Sequence, residues 1–115
     1  MSLVKKVGMV IHPVEDLDAA AAFYADALGL EEKFRDGDRF AAFDAGGVTV
    51  ALAAGDEAVA ESTAISFKVD DVAAATERLQ AAGAKLLRGP EEGPHEMRAV
   101  LADLSGNAFI VYAER

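Results

Sequence analysis

The pattern of apolar and polar positions along the chain occurs twice. Residues 7–24, VGMVIHPVEDLDAAAAFY, resemble residues 63–80, TAISFKVDDVAAATERLQ, at an offset of about 55 residues, which places Val14 on Val69. Each copy reads as a strand, an acidic helix start, an amphipathic helix and a closing glycine. The sequence therefore predicts two copies of one structural unit.

The two predicted helices carry matching start and stop signals. Helix 1 begins around residues 16–18 and helix 2 after Asp70 and Asp71, where carboxylates can cap free backbone N–H groups and favour the helix dipole. Gly29 and Gly83 supply the stops. Apolar residues recur at helical spacing at Leu17, Ala20, Ala21, Phe23, Tyr24, Ala27 and Leu28 in helix 1, and at Val72, Ala75, Leu79 and Ala82 in helix 2. Each helix thus has one face to bury against a sheet.

Three strand-like stretches follow each helix. They cover residues 30–35, 39–44 and 48–53 in the first copy, and residues 84–88, 97–103 and 108–113 in the second. Turn-forming residues separate them, including a predicted loop over residues 89–94. The sequence therefore predicts an α+β fold of two tandem βαβββ modules in a single domain over residues 1–115. Repeat 1 spans about residues 4–54 and repeat 2 about residues 62–114.

Composition narrows the class of partner. The chain has 115 residues, a net charge of −9 and no cysteine, so disulfides and thiolate metal sites are excluded. Its acidic residues are scattered along the chain, and such a surface repels phosphate backbones and anionic lipids. No apolar run approaches the roughly 20 residues that span a bilayer, and the first residues lack a signal-peptide core. We expect a cytoplasmic protein that binds neither nucleic acid nor membrane.

Three motifs carry a family resemblance that extends over most of the chain. The pattern V-x-D-L-D-x-A-x-x-F-Y-x-x-x-L-G-L over residues 14–30 resembles the first-repeat signature of the vicinal oxygen chelate superfamily, which contains glyoxalases, bleomycin-resistance proteins and extradiol dioxygenases. Residues 67–72 resemble its second-repeat strand and helix start, and residues 103–107 its D-P-x-G-N turn, with Leu104 in place of the proline. The resemblance implies curved mixed sheets around a cleft, with one helix on the outer face of each module.

The resemblance also implies where a metal ion would bind. Enzymes of the superfamily commonly hold a divalent metal in the cleft with four strand side chains, two per repeat, and the matching positions here are Met9, Ala51, Ala64 and Ile110. None of these side chains offers an oxygen or imidazole ligand, and a lone thioether is unsuited to hard cations. We therefore expect no metal, no other cofactor and no catalytic residue of the superfamily's usual kind.

Starting from the four positions that the resemblance places in the cleft, strand alternation indicates which other side chains share the cleft face. With His95 of the neighbouring loop, the candidate ligand-binding residues are Met9, Ile11, Thr49, Ala51, Ala64, Ser66, Lys68, His95, Ile110 and Tyr112. Lys68 is open to three interpretations: an anion-binding group, a base, or a side chain that extends into water. His12 is expected to face helix 1. Phe40 and Phe43 have opposite parity, and the sequence leaves open which one faces the cleft.

The function that these residues favour is binding without chemistry. We expect a metal-independent small-molecule-binding protein resembling the bleomycin-resistance branch, which sequesters an organic ligand, with cationic and aromatic ligands both open. Two alternatives remain at this point: a lyase, isomerase or dioxygenase with a non-standard or absent metal site, and a degenerate domain whose cleft is filled by side chains. Because members of the superfamily usually dimerise, we also expect a homodimer.

Overall fold

The computed structural model describes residues 3–114, within which eight strands and two α-helices form two compact units. One unit comprises residues 9–63 and carries repeat 1. The other combines residues 64–114, which carry repeat 2, with residues 3–8 from the start of the chain. No helix within residues 3–114 is long and apolar enough to cross a membrane.

Repeat 1 is a mixed four-stranded sheet with one helix on one face. Its elements are β1 (Lys6–Pro13), α1 (Leu17–Ala22), a π-helical segment (Phe23–Ala27), β2 (Glu31–Asp36), β3 (Phe40–Asp44) and β4 (Thr49–Ala53). The strand order is β2-β3-β4-β1, with β1 parallel to β4 and the other pairs antiparallel. Leu17 and Ala21 of α1 pack against Phe43 and Leu52 of the sheet, which forms the apolar core of this repeat.

Repeat 2 follows the same plan. Its elements are β5 (Ala64–Lys68), α2 (Val72–Ala81), β6 (Lys85–Glu92), β7 (Glu96–Ala102) and β8 (Ala108–Glu114). The strand order is β5-β8-β7-β6, again with one parallel pair, β5 and β8. Val72 and Ala75 of α2 pack on Leu101 and Val111, and Val4 of the N-terminal segment joins this core. The predicted α+β class with two βαβββ modules is confirmed.

Both helices begin as predicted. The side chain of Asp16 accepts a hydrogen bond from the backbone N–H of Ala19 at 3.1 Å, and Asp71 accepts one from Ala74 at the same distance. Each carboxylate satisfies a backbone donor that has no partner within the helix, which stabilises a helix by about 1 kcal/mol. The glycine that follows helix 1, Gly29, has a φ of 73°, a left-handed conformation that glycine adopts without a steric penalty.

The predicted apolar face of helix 1 is wrong at three positions, Phe23, Ala27 and Leu28, and that of helix 2 is wrong at Ala82, because all four residues are exposed. Phe23 and Leu28 are 56% and 54% exposed, although the spacing placed them on the buried side. The helix changes to π geometry over Phe23–Ala27, where the N–H of Leu28 donates to the carbonyl of Phe23. A π turn contains an additional residue, so the side chains around it leave the apolar stripe that a regular α-helix would form.

The predicted loop over residues 89–94 is also corrected, because β6 continues to Glu92. The register of β6 against β7 shifts between Arg88 and Glu91, and Gly89 and Pro90 lie in this irregularity. A proline lacks a donor for the sheet, but an edge strand such as β6 tolerates it at a bulge. Only the remainder of the predicted loop, after Glu92, forms the turn into β7.

Candidate functional site

In repeat 2 the strand register places five predicted site residues on the sheet face opposite α2, which we call the helix-free face of repeat 2. Ser66 pairs with Ile110, and Lys68 pairs with Tyr112, across the parallel strands β5 and β8. Ala64 shares this face by alternation. Ala64, Ser66 and Ile110 are buried, whereas Lys68 and Tyr112 remain partly exposed. The structure therefore brings these five residues together.

In repeat 1 the register brings together the four remaining strand residues of the prediction. Ile11 pairs with Ala51 across β1 and β4, and Met9 and Thr49 share their side of the sheet by alternation. This side lies opposite α1, whose core contacts include Leu52 but not Ala51, and we call it the helix-free face of repeat 1. Ala51 is fully buried, and the other three are half-buried.

His95 is separate from the other nine predicted residues. It lies in the turn between β6 and β7, outside the strands that carry the two helix-free faces, and it is exposed. The structure places no other predicted site residue in this turn.

His12 faces helix 1, as its position in β1 predicts. It pairs with Leu52 of the apolar core, and its ring lies 6.3 Å from that of Tyr24. Its Nδ1 atom makes a hydrogen bond with the hydroxyl of Thr63. These contacts are those of a structural histidine.

The structure also settles the parity of the two phenylalanines in β3. Phe43 is fully buried beneath the helix, with its ring 6.0 Å from that of Tyr24. Phe40 therefore points to the helix-free face, where its ring lies 6.2 Å from that of Phe34 at an interplanar angle of 60°. The partly exposed aromatic pair of repeat 1 is thus Phe34 and Phe40.

Electrostatic contacts keep Lys68 charged. Its ammonium donates a hydrogen bond to Glu114 at 3.0 Å, and this bond and the carboxylate charge raise the pKa of Lys68 above its usual value. The same contact lowers the pKa of Glu114. Burial raises the pKa of Tyr112, so its phenol stays protonated at neutral pH. Of the three interpretations of Lys68, the base is therefore disfavoured, because a general base must be able to lose its proton near the operating pH.

The sequence interpretation missed a buried ion network on the helix-free face of repeat 2. The Arg98 side chain is 8% exposed, and its guanidinium lies 3.4 Å from a carboxylate oxygen of Glu91 and 3.3 Å from one of Glu96. Burial favours a raised pKa for Glu91, but hydrogen bonds and charge attraction from Arg88 and Arg98 outweigh it and lower the pKa. The sequence did contain a signal for this network, because Arg98 is a charged residue two positions before Val100, on the same face of an otherwise apolar strand.

A second missed residue, Lys33, lies at the edge of the helix-free face of repeat 1. The β2–β3 register shifts between Glu32 and Phe34, and the Lys33 ammonium donates a hydrogen bond to the hydroxyl of Thr49 at 2.6 Å. No sequence signal for this contact was available, because a bulge changes which face a strand residue occupies.

The residues at the positions that the family resemblance assigns to metal ligands do not fit a divalent ion. Met9, Ala51, Ala64 and Ile110 offer one thioether and three hydrocarbon side chains, whereas hard cations require oxygen ligands and zinc requires nitrogen, sulfur or oxygen from several side chains. Within residues 3–114, no group of three or more His, Asp or Glu side chains is arranged to hold a metal ion. No chemistry of this chain can therefore be assigned to that site through a metal.

A family model and a similar protein each match most of this chain. A family model described as a glyoxalase-like domain matches residues 8–112. An uncharacterized protein from Mycolicibacterium smegmatis is 40% identical over 109 residues, which cover 94% of this chain and 93% of that protein.

Two solved structures share the fold. A Mn(II)-bound glyoxalase from Novosphingobium aromaticivorans has 30% identity and a TM-score of 0.65, and the match covers 98% of this chain but only 40% of that chain. A glyoxalase/bleomycin resistance protein/dioxygenase superfamily member from Vibrio splendidus has 18% identity and a TM-score of 0.70, covering 92% of this chain and 97% of that one. The second likeness concerns the fold alone.

The two βαβββ repeats, each with one helix-free sheet face, define the class of tandem-repeat domains on which the glyoxalases are built. The chain belongs to the glyoxalase-like domain family, and the family resemblance carried by its motifs is confirmed.

Proposed function

We infer that this protein binds a small organic ligand on its helix-free faces without a metal ion. The observation that carries the proposal is the chemistry of Met9, Ala51, Ala64 and Ile110, which replace the metal ligands of the superfamily with apolar side chains. Apolar residues at these positions favour contact with an organic ligand, because small-molecule sites are mostly apolar with a few polar groups that orient the ligand.

The helix-free face of repeat 1 is best suited to an aromatic ligand. Ala42 and Ala51 form a buried floor of small side chains, and the rings of Phe34 and Phe40 stand at its side. Aromatic rings prefer offset or edge-to-face contact with other rings, and each such pair stabilises by about 0.5–1.5 kcal/mol beyond the area that it buries. This composition supports the aromatic ligand among the predicted kinds.

The polar residues of repeat 2 support binding rather than catalysis. Lys68 is held charged by Glu114, and the phenol of Tyr112 is kept protonated by burial. Arg98 is held by Glu91 and Glu96. The pKa values of Lys68 and Tyr112 are both raised farther from neutrality, which disfavours them as acid or base catalysts, whereas these two side chains and Arg98 can each orient a ligand.

The test compares metal-stripped protein with protein incubated with Mn²⁺, Ni²⁺ or Zn²⁺ and then desalted. We expect less than about a tenth of an ion per chain after desalting, because the described residues offer no set of metal donors. A thermal-shift screen of planar aromatic, cationic aromatic and small carbonyl compounds should give hits whose shift in Tm is unchanged by added metal. Retention of about one ion per chain, or hits that require metal, would overturn the proposal.

A second candidate is a domain whose faces are closed by its own side chains. The observation that favours it is burial: Ala51, Ala64 and Ile110 are 0%, 2% and 3% exposed. In that case no compound in the thermal-shift screen raises the Tm at concentrations up to the millimolar range.

The expected homodimer remains a prediction as well, and sedimentation velocity at several protein concentrations tests it.

A further inference from the structure

Lys33 occupies an unusual position for a residue of a charged edge strand. The register shift between Glu32 and Phe34 lets its side chain extend across β3, a span of about 10 Å over two strand spacings, to the hydroxyl of Thr49 on β4. Thr49 alternates with Ala51, so the Lys33 ammonium lies on the helix-free face of repeat 1. The bulge therefore delivers a positive charge to the edge of the apolar face.

The partner of this ammonium is a neutral hydroxyl. Lys68 contacts a carboxylate at 3.0 Å and Lys5 one at 3.4 Å, whereas within residues 3–114 Lys33 has no carboxylate within 4.0 Å. An ammonium has three donors, so the bond to Thr49 leaves two for another acceptor. Within the described residues Lys6 and Lys85 likewise have no carboxylate within 4.0 Å, so what distinguishes Lys33 is its position, because the bond to Thr49 holds its ammonium on the helix-free face of repeat 1.

The carboxylate of Asp44 lies in the same register row as Thr49, and it has other partners. One of its oxygens accepts the backbone N–H of Gly46 at 3.0 Å and lies 3.4 Å from that of Gly47. These bonds hold the carboxylate toward the turn rather than toward Lys33. Asp44 therefore sets the turn, and its charge is a repulsive element that a bound anion must outweigh.

Aromatic and small residues follow in the next row of the sheet. Ala42 pairs with both Phe34 and Ala51, and this row lies roughly 7 Å from the row of Asp44 and Thr49, the distance covered by two residues of a strand. A ligand whose negative group binds at Thr49 would thus bring the group at the other end of a short linker against Phe34 and the row of alanines.

We propose that Lys33 and Thr49 bind the carboxylate of an aryl-alkyl carboxylic acid whose ring packs against the partly exposed rings of Phe34 and Phe40. This inference rests on the proposed function and specifies its ligand class. The acidic surface as a whole disfavours anions, but charges farther away than about 8 Å are largely screened at physiological salt, so the balance at this site is between the Lys33 ammonium and the carboxylates of Glu31 and Asp44 in the row of Thr49.

The test uses three ligands that share one ring and linker: 3-phenylpropionate, 3-phenylpropanamide and 3-phenylpropylamine. Binding is measured by calorimetry with the full chain and with the Lys33→Met, Thr49→Val and Lys85→Met variants. Lys85→Met is the matched control, because it removes the same charge from an exposed lysine of repeat 2.

We expect the acid to bind the unsubstituted protein about tenfold more tightly than the amide or the amine, since hydrogen bonds to charged groups are the stronger ones. Lys33→Met should lower acid affinity to that of the amide and leave amide affinity within about twofold, while Thr49→Val should have a smaller effect in the same direction. Lys85→Met should change neither affinity. The Tm of each variant verifies that it folds.

Equal affinities for acid, amide and amine overturn this inference but leave the proposed function intact, because all three would still be organic ligands. Equal losses from Lys33→Met and Lys85→Met also overturn it, since they indicate an effect of net charge. Absence of binding by all three rejects the aryl-alkyl acid, whereas the proposed function fails only if the wider thermal-shift screen is also empty.

Discussion

In repeat 1, Phe40 lies opposite Ala53 on neighbouring strands, whereas the matching pair in repeat 2 is Arg98 and Tyr112. The correspondence follows from the register. Ser66 lies 55 residues after Ile11 and is its counterpart, so the residue paired with Ile11, Ala51, corresponds to the residue paired with Ser66, Ile110. The backbone plan is the same in both repeats. At one matched position it carries a ring, and at the other a buried guanidinium.

The difference continues along the two faces. Ala42 and Ala51 of repeat 1 correspond to Val100 and Ile110 of repeat 2, so the smaller side chain is in repeat 1 each time. At these two positions repeat 2 has the larger side chains, with an ion network beside them, whereas on β1 the residues Met9 and Ile11 of repeat 1 are larger than Ala64 and Ser66 on β5. The two repeats therefore differ in chemistry. The face of repeat 2 is held by an ion network, and the face of repeat 1 is the better candidate for an apolar ligand.

The largest expected effect comes from removing Arg98. Arg98→Met removes the guanidinium that contacts Glu96 and leaves Glu91 with Arg88 alone, and we expect the free energy of unfolding to fall by about 3 kcal/mol. This is the lower part of the range for broken buried pairs, because both carboxylates retain some exposure. Urea unfolding of Arg98→Met and of Arg88→Met, whose side chain is 44% exposed, measures the difference. Equal losses would show that the network contributes no more than surface pairs do.

The matching test in repeat 1 removes Phe40. Phe40→Ala should lower the free energy of unfolding by about 2 kcal/mol, less than for a fully buried phenylalanine, because Phe40 is only half-buried. Phe34→Ala, at a residue that is 44% exposed, should have a smaller effect. The same urea titration compares them. A larger loss for Phe34→Ala would contradict the prediction that Phe40 contributes more than Phe34 to the stability of this face.

Alternation along the strands was sufficient to predict most of these faces. Period-2 spacing places Ser66 and Lys68 with Ile110 and Tyr112, and the register confirms that arrangement. The helix starts were equally readable, because Asp16 and Asp71 are local signals that need no tertiary context. The helix starts depend on neighbours within a few positions of the chain, whereas the shared face of Ser66 and Ile110 also required the cleft positions that the family resemblance implies.

The features that the sequence did not predict depend on register shifts and on contacts between distant residues. Lys33 lies on the helix-free face only because the β2–β3 register shifts beside it, and Arg98 meets Glu91 only after the shift that follows Arg88. A bulge adds one residue to one strand and leaves no mark in the apolar pattern. The π turn near Phe23 misled the helix prediction for the same reason, since one extra residue moves the positions around it.

A smaller effect should come from the contact between Tyr112 and the N-terminal segment. A Cβ atom added at Gly8 would lie 2.0 Å from the Tyr112 hydroxyl, so the phenol occupies the space of a side chain. Gly8→Ala should therefore lower the free energy of unfolding by about 1–2 kcal/mol through overpacking. Tyr112→Leu is the partner variant, and most of the loss from Gly8→Ala should disappear in its background. A loss that persists there would assign the effect to the backbone of β1 rather than to the phenol.

The smallest expected effect distinguishes the turns that precede the last strand of each repeat. Asp103 accepts the N–H of Asn107 at 2.8 Å and that of Ser105 at 3.0 Å, and these bonds lower its pKa below its ordinary value of 3.8. Asp44 accepts the N–H of Gly46 at 3.0 Å, but its distance to the N–H of Gly47 is 3.4 Å.

A folded-state pKa below the unfolded value means that the unfolded chain binds the proton more readily. The contribution of Asp103 is therefore complete above pH 3.8 and is lost as the pH falls through the lowered folded-state value. At pH 7, Asp103→Asn should lower the Tm more than Asp44→Asn does, and its gap to the unsubstituted protein should narrow as the pH drops below 3.8. Thermal unfolding from pH 2 to pH 7, a range that brackets this titration, measures both variants. If the difference in Tm between Asp103→Asn and the unsubstituted protein does not change with pH, the effect comes from the geometry of the amide and not from the lost charge.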